Sequence, residues 1–274
     1  MLSPVSDSSA APPPDGSPDA LPPPGVDVVG PLAPSGPNTP RMTRGRALAE
    51  VVLCSSYPTQ VAAAGALALL GVPPQTADGT LNAAFVFGVS TLDAVLVVSL
   101  VVYLLRRQHE SLAQVFLGDR ARWREAALGV ALVPLVTVGV AVVVRSVQAL
   151  FPELHNVPVN PLTAFMIDPA MAVAFGVMVV VAGGVREEMQ RAFQLHRLQH
   201  HVTSPFVALF VTSVAFGLGH TVQGRDVAIA TFGLGLFWGA LYLRRRSLVA
   251  SGVSHALFNL LQVWAASHTL IPPG

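Results

Sequence analysis

The chain has 274 residues, of which 52% are hydrophobic and only 11% charged, where a soluble domain carries about 25% charged residues, so much of it must be solvated by lipid. The net charge of +1, with all 16 basic residues arginine and no basic patch interleaved with aromatics, offers nucleic acid nothing to bind. The single Cys54 excludes an internal disulfide and a cysteine metal cluster.

In chain order, residues 1–40 come first and hold 12 of the 23 prolines, mixed with Ser, Ala, Gly and Asp. Such a segment buries too little apolar surface to offset its ordering entropy, so 1–45 is expected to be a disordered tail ahead of a folded domain at 46–270. It lacks the basic n-region of a signal peptide. Seven apolar segments follow, at roughly 47–72, 82–105, 125–150, 169–199, 205–221, 227–243 and 248–267, each long enough to cross or nearly cross ~30 Å of hydrocarbon. Between the second and third, residues 107–124 mix Leu112, Val115, Phe116, Leu117 and Trp123 with polar residues, as an interfacial amphipathic helix does. The expected fold is all-α: a polytopic membrane bundle of about seven transmembrane helices plus one interfacial helix.

Arginine placement orients this bundle. Arg41, Arg44 and Arg46 precede the first segment; Arg106, Arg107, Arg120, Arg122 and Arg124 lie between the second and third; Arg197 follows the fourth; Arg244, Arg245 and Arg246 follow the sixth. The alternate loops at 73–80 and 152–168 and the C-terminal tail contain none, and only Arg145 and Arg225 fall towards that side. The positive-inside rule then puts the N-terminus in the cytoplasm and the C-terminus outside, in the cell membrane.

Few residues in this chain carry chemistry, and they fall in three clusters. Glu187 and Glu188 end the apolar run 170–185, with Arg191 at i+4 from the first; Phe216 and His220 are i,i+4, and so are His255 and Asn259. An ionisable residue at bilayer depth costs at least ~2.5–3.5 kcal/mol, which marks such a pair for function. The polar run 200–204 before Pro205 is a helix stop and restart, so the fourth and fifth segments form a hairpin. Glu187 stands about 20 Å before that turn and His220 about 22 Å after it, which puts them level on neighbouring helices. His255 joins them if the turn projects into the cytoplasm, with the site in the inner half of the bilayer. Arg191 can neutralise a glutamate, Asn259 can orient His255 or donate to an oxyanion, and a carboxylate with two histidines suits water activation.

In order and spacing these residues resemble the CPBP family of CAAX-protease and bacteriocin-processing intramembrane endopeptidases, also called type II CAAX prenyl endopeptidases. The family pattern is E-E-x-x-x-R, then F-x-x-x-H, then H-x-x-x-N; here it reads Glu187-Glu188-Met-Gln-Arg191, Phe216 to His220 and His255 to Asn259. The arginine comes one residue early. Aligning on the glutamates makes Glu187 the family's first, catalytic glutamate, whereas aligning on the arginine would put Arg186 there, and the choice between Glu187 and Glu188 stays open. The resemblance implies an intramembrane glutamic-type endopeptidase without a metal or other cofactor. One glutamate and His220 activate water, His255 and Asn259 stabilise the oxyanion, and Arg191 and Phe216 support them. Its partners would be the lipid bilayer and a peptide or protein substrate, lipid-modified or not, approaching from the cytoplasmic side.

Three other readings use the same residues. A zinc peptidase could take the Glu and His side chains as ligands, although H-E-x-x-H is absent. A proton-coupled transporter could carry such charges, although no inverted repeat is found. A catalytically silent scaffold or immunity protein needs no chemistry at all. Outside the clusters, Asp93 and the Arg225–Asp226 pair read as internal ion pairs. Gly183, Gly184, Gly235 and Gly239 read as close helix packing, and His196, His200 and His201 as a solvated turn.

Overall fold

A computed structural model describes residues 42–270, and the expected tail at 1–45 lies outside them except at its C-terminal end. Among the described residues every regular element is helical, with one isolated bridge between Gln75 and Leu81. Helix α1 (Arg44–Leu53) starts where the Thr43 hydroxyl accepts from Arg46 N, satisfying one of the orphan donors of a first turn. It ends at Cys54. Ser56 takes a left-handed conformation (φ 67°), and α2 (Tyr57–Leu69) leaves at 40° to α1. Helix α3 (Ala83–Arg107) begins behind the Asn82 cap and ends on Arg106 and Arg107, whose charges complement the helix dipole. A short α4 (Leu112–Phe116) leads to α5 (Arg122–Leu150).

Two 3-10 turns, at Pro152–Leu154 and Pro161–Met166, precede the longest rod. In it α6 (Pro169–Val179), capped by Asp168, continues through a π-helical stretch (Val180–Glu187) into α7 (Glu188–His201). Ser204 caps α8 (Pro205–Leu218), so the hairpin turn falls where the Ser-Pro pair was expected. A turn at Thr221–Gln223 leads to α9 (Arg225–Arg245), and α10 (Val249–Leu270) closes the bundle.

The seven apolar segments all become helical, but fewer than seven of the described helices are by themselves long and apolar enough to count as spans. Among the described residues four helices are long and apolar enough to cross a membrane: α3, α5, the α6–α7 rod and α9. Counting the bent α1–α2 pair as one gives five. At 1.5 Å per residue the 14-residue α8 reaches only about 21 Å. Helix α10 carries His255, Asn259 and Gln262 along its length and falls short in apolarity. The interfacial helix is also corrected. Only five residues of 107–124 form α4, and Val115 and Phe116 are buried against Leu195 and Leu198 of α7 instead of facing lipid.

Helix α10 packs against α5 and the π-helical stretch, α8 against α9, and α1 against α7. Valines such as Val95, Val138, Val142, Val173 and Val177 remain exposed on the outside, the surface that lipid would solvate. The arginine-rich ends meet at one end of the bundle. Arg197 bonds Glu50 at 2.8 Å and Glu110 at 2.6 Å, Arg245 bonds Glu125 at 2.5 Å, and Arg120 donates to the Arg245 carbonyl at 3.2 Å. His196, expected in a solvated turn, is buried there, 3.4 Å from Glu110.

Candidate active site

The π-helical stretch and α10 touch almost backbone to backbone. A Cβ added at Gly184 would stand 2.6 Å from that of Ala256, and one at Gly252 would stand 2.9 Å from the Gly184 carbonyl oxygen. Small residues on both faces therefore bring α10 close enough for its polar side chains to reach the glutamates. A Cβ at Gly183 would meet the Asn259 amide and lie 3.1 Å from His255 Nε2. A π-helical stretch inside an α-helical rod is rare, and such stretches concentrate at functional sites.

The two glutamates have different surroundings. The Glu188 side chain is 1% exposed and sits between Arg191 Nη1, which donates to Oε1, and His255 Nδ1, 2.9 Å from the same oxygen. A carboxylate only accepts, so Nδ1 of His255 carries the proton and Nε2 faces away. The Glu187 side chain is 15% exposed. Its Oε1 lies 3.3 Å from Arg186 Nη1, and its Oε2 lies 3.7 Å from His255 Nε2. The expected i,i+4 bridge between Glu187 and Arg191 is thus replaced by an i,i+3 bridge from Arg191 to Glu188, and Glu187 takes Arg186. The physical reason is depth of burial: Glu188, with no access to solvent, needs the nearest guanidinium most.

His220 stands just past the end of α8. Its Nδ1 donates to the Phe216 carbonyl at 2.8 Å, leaving Nε2 as its free ring nitrogen. The Phe216 ring meets His220 edge-on at 4.8 Å. His255 is stacked on Trp238, with ring centroids 3.9 Å apart and planes 18° from parallel, and the Trp238 indole N–H donates to Ser254 at 3.3 Å. The Arg191 guanidinium lies 4.5 Å from the Phe216 ring centroid and 5.7 Å from that of Trp238, so the bridge to Glu188 is clamped between aromatic faces. Sequence reasoning missed Trp238 and Arg186. A tryptophan inside an apolar helix gives no signal of its own. Arg186 could have been found from Asp93, which needs a cation at its own depth in the membrane.

Glu187, His220, His255 and Asn259 all line one cavity of about 500 Å³. A second cavity of about 350 Å³ shares Glu187, Phe216 and His220 and runs toward Ser55, Ser56 and Gln194 at the break between α1 and α2. Glu188 lines neither. Both cavities reach Leu162 and Gln223, at the arginine-poor end of the bundle. Helix α3 serves as a depth gauge, because Asp93 pairs with Arg186 at 3.3 Å. Asp93 lies about 15 Å from the start of α3 and about 21 Å from its end. The site therefore lies beside the middle third of α3.

Asp93 is an internal ion pair, as expected. Asp226 is paired too, but with His155 at 2.7 Å and Gln148 at 2.9 Å instead of Arg225, whose backbone N–H donates to Asn156. Gly235 and Gly239 pack on Ser213 and Leu209 of α8. Among the described residues no group of three or more His, Cys, Asp or Glu side chains is placed to hold a metal ion.

Residues 169–261 match the family model described as Rce1-like, type II CAAX prenyl endopeptidase. The match begins at the first residue of α6 and ends within α10, so it encloses every residue of the site. No curated protein and no solved structure gives a significant match.

Proposed function

We propose, from the match of residues 169–261 to the type II CAAX prenyl endopeptidase model, that the chain is a membrane-embedded peptide hydrolase in which Glu187 and His220 activate the water that cleaves the substrate. The observation that carries this reading is the single cavity lined by Glu187, His220, His255 and Asn259. Glu187 takes a proton from water while the free Nε2 of His220 accepts its other hydrogen bond. The oxygen attacks the scissile carbonyl carbon, and the negative charge moves to the carbonyl oxygen. Asn259 donates to that oxyanion, and so does Nε2 of His255 when the ring carries both protons. Glu187 then passes its proton to the leaving amine as the C–N bond breaks, and the carboxylate is regenerated. Glu188 holds His255 through Nδ1 and stays out of the proton path.

The cavity wall is largely apolar, including Phe175, Phe258, Leu234 and Val140, which suits a substrate with a hydrophobic side chain or lipid group. The gathered arginines support an arginine-rich end in the cytoplasm, with the N-terminus inside and the C-terminus outside. Approach from the cytoplasm has less support, since both cavities reach Leu162 and Gln223 at the opposite end. Labelling of single cysteines placed at Arg120 and at Glu153, from either side of sealed vesicles, decides the orientation.

The test of the activity is cleavage of fluorogenic peptides, prenylated and plain, by protein in liposomes. Wild type should cleave, Glu187→Gln and His220→Ala should lose cleavage by about 10²-fold or more, and a zinc chelator should leave the rate unchanged. Full activity in both variants would sink the reading. Cleavage abolished by chelator and restored by zinc would favour the zinc peptidase.

A further inference from the structure

Arg186 is buried, 7% exposed, and its guanidinium joins two carboxylates from different helices. Nη2 lies 3.3 Å from Asp93 Oδ2 on α3, and Nη1 lies 3.3 Å from Glu187 Oε1. Nη1 also donates to Ser56 Oγ at 3.2 Å, and the Ser56 hydroxyl in turn donates to Gln190 at 2.7 Å. Asp93 is fully buried and is held by the Thr59 hydroxyl of α2 and, at 3.5 Å, by Gln60. The chain Thr59–Asp93–Arg186–Glu187 thus runs from the bent α1–α2 pair through α3 to the carboxylate that faces both cavities.

An ion pair that served only to neutralise Asp93 would need one guanidinium nitrogen. Here the second nitrogen fixes one oxygen of Glu187, so that the other points to His255 Nε2. From this geometry we propose that Asp93 and Arg186 are positioning residues for hydrolysis, orienting the Glu187 carboxylate and setting how readily it takes a proton from water. This rests on the reading of Glu187 as the base. Asp93 shares the charge of Arg186, so the guanidinium does not hold Glu187 too firmly to accept a proton. The charged and titratable groups around Glu187 are Arg186, Glu188 and Arg191 on its own rod, Asp93 on α3 through Arg186, His220 after α8 and His255 on α10. On α2 the nearest is Tyr57, which lines the same cavity.

The two variants should act in opposite directions, which a merely structural pair would not do. Loss of the cation in Arg186→Gln makes the Glu187 carboxylate easier to protonate. The acid limb of kcat/KM in proteoliposomes should therefore move up by about one pH unit. Loss of the competing anion in Asp93→Asn leaves Arg186 wholly to Glu187, and the same limb should move down, with the rate at neutral pH falling about tenfold. Arg186→Lys keeps the charge without the fork, so it should restore the limb but not the full kcat. Limbs that stay in place, or that move the same way in both variants, would overturn the proposal while wild-type cleavage and the loss in Glu187→Gln leave the protease reading standing. Loss of fold in both Arg186 variants would assign the arginine a structural role and overturn it as well. A wild type that cleaves nothing, or a Glu187→Gln that cleaves as well as wild type, removes both ideas at once.

Discussion

His255 Nδ1 lies 2.9 Å from Oε1 of Glu188, and that bond separates the surroundings of two adjacent glutamates that are otherwise alike. It commits Glu188 to holding a ring, with Arg191 on its other side, and leaves Glu187 as the carboxylate that meets the cavities. The same bond aims His255 Nε2 at the space beside Glu187.

The two glutamates should therefore fail differently. Glu187→Gln should leave the detergent-solubilised protein about as heat-stable as wild type while cleavage drops by about 10²–10⁴-fold. Glu188→Gln should lower the melting temperature, because it strands the Arg191 cation in a buried site, a change that costs about 3–5 kcal/mol in other proteins. Equal melting temperatures with equal losses of activity would contradict this division.

Gly183→Ala should damage cleavage more than folding. The new methyl group would meet the Asn259 amide and crowd His255 Nε2, both far ends of side chains that can shift. A loss of tenfold or more in kcat with an unchanged melting temperature is the expected outcome. Gly139→Ala on α5, where the added carbon meets nothing within 4 Å, is the matched control and should behave as wild type.

Trp238→Leu removes the stacked face under His255 and the indole hydrogen bond to Ser254. Stacking of this kind contributes about 0.5–1.5 kcal/mol, so a modest fall in stability should accompany a larger fall in kcat as the imidazole loses its fixed plane. Trp238→Phe, which keeps an aromatic face, should recover most of the rate.

At the arginine-rich end, Glu110 gives a pH prediction outside the membrane-spanning segments. Burial pushes its carboxyl up, but the His196 hydrogen bond and the Arg197 charge outweigh burial and hold it below its ordinary value of 4.5. A lowered folded-state value means that the carboxylate adds stability above pH 4.5, and that this is lost as pH falls through the lower folded value. Glu110→Gln should thus melt earlier than wild type at pH 7, and the gap should narrow steadily below pH 4.5. A gap that stays constant down to pH 3 would contradict the assignment.

Much of this molecule could be read along the chain. The hairpin was legible in Ser204 and Pro205, because a capping hydroxyl followed by a residue without an N–H is a local signal. The three clusters and their order were legible because charge and histidine are conspicuous in an apolar background. Span number was not. Whether α8 or α10 crosses a bilayer depends on what packs around its polar side chains, and at the break the sequence offers only Pro58, in the first turn of α2, while the left-handed conformation of Ser56 is decided by the fold.

The sequence by itself determined the helical class, the membrane setting and the three clusters of candidate residues, since composition, periodicity and spacing are properties of the chain. Only the tertiary structure decided the partners: Arg191 with Glu188, Arg186 with Glu187 and Asp93, and Trp238 beneath His255. Adjacent residues on a helix point about 100° apart, and small residues at Gly183, Gly184 and Gly252 fix how closely α10 approaches. Which of two neighbouring glutamates is buried and which meets the cavity is set by that approach between helices distant in sequence.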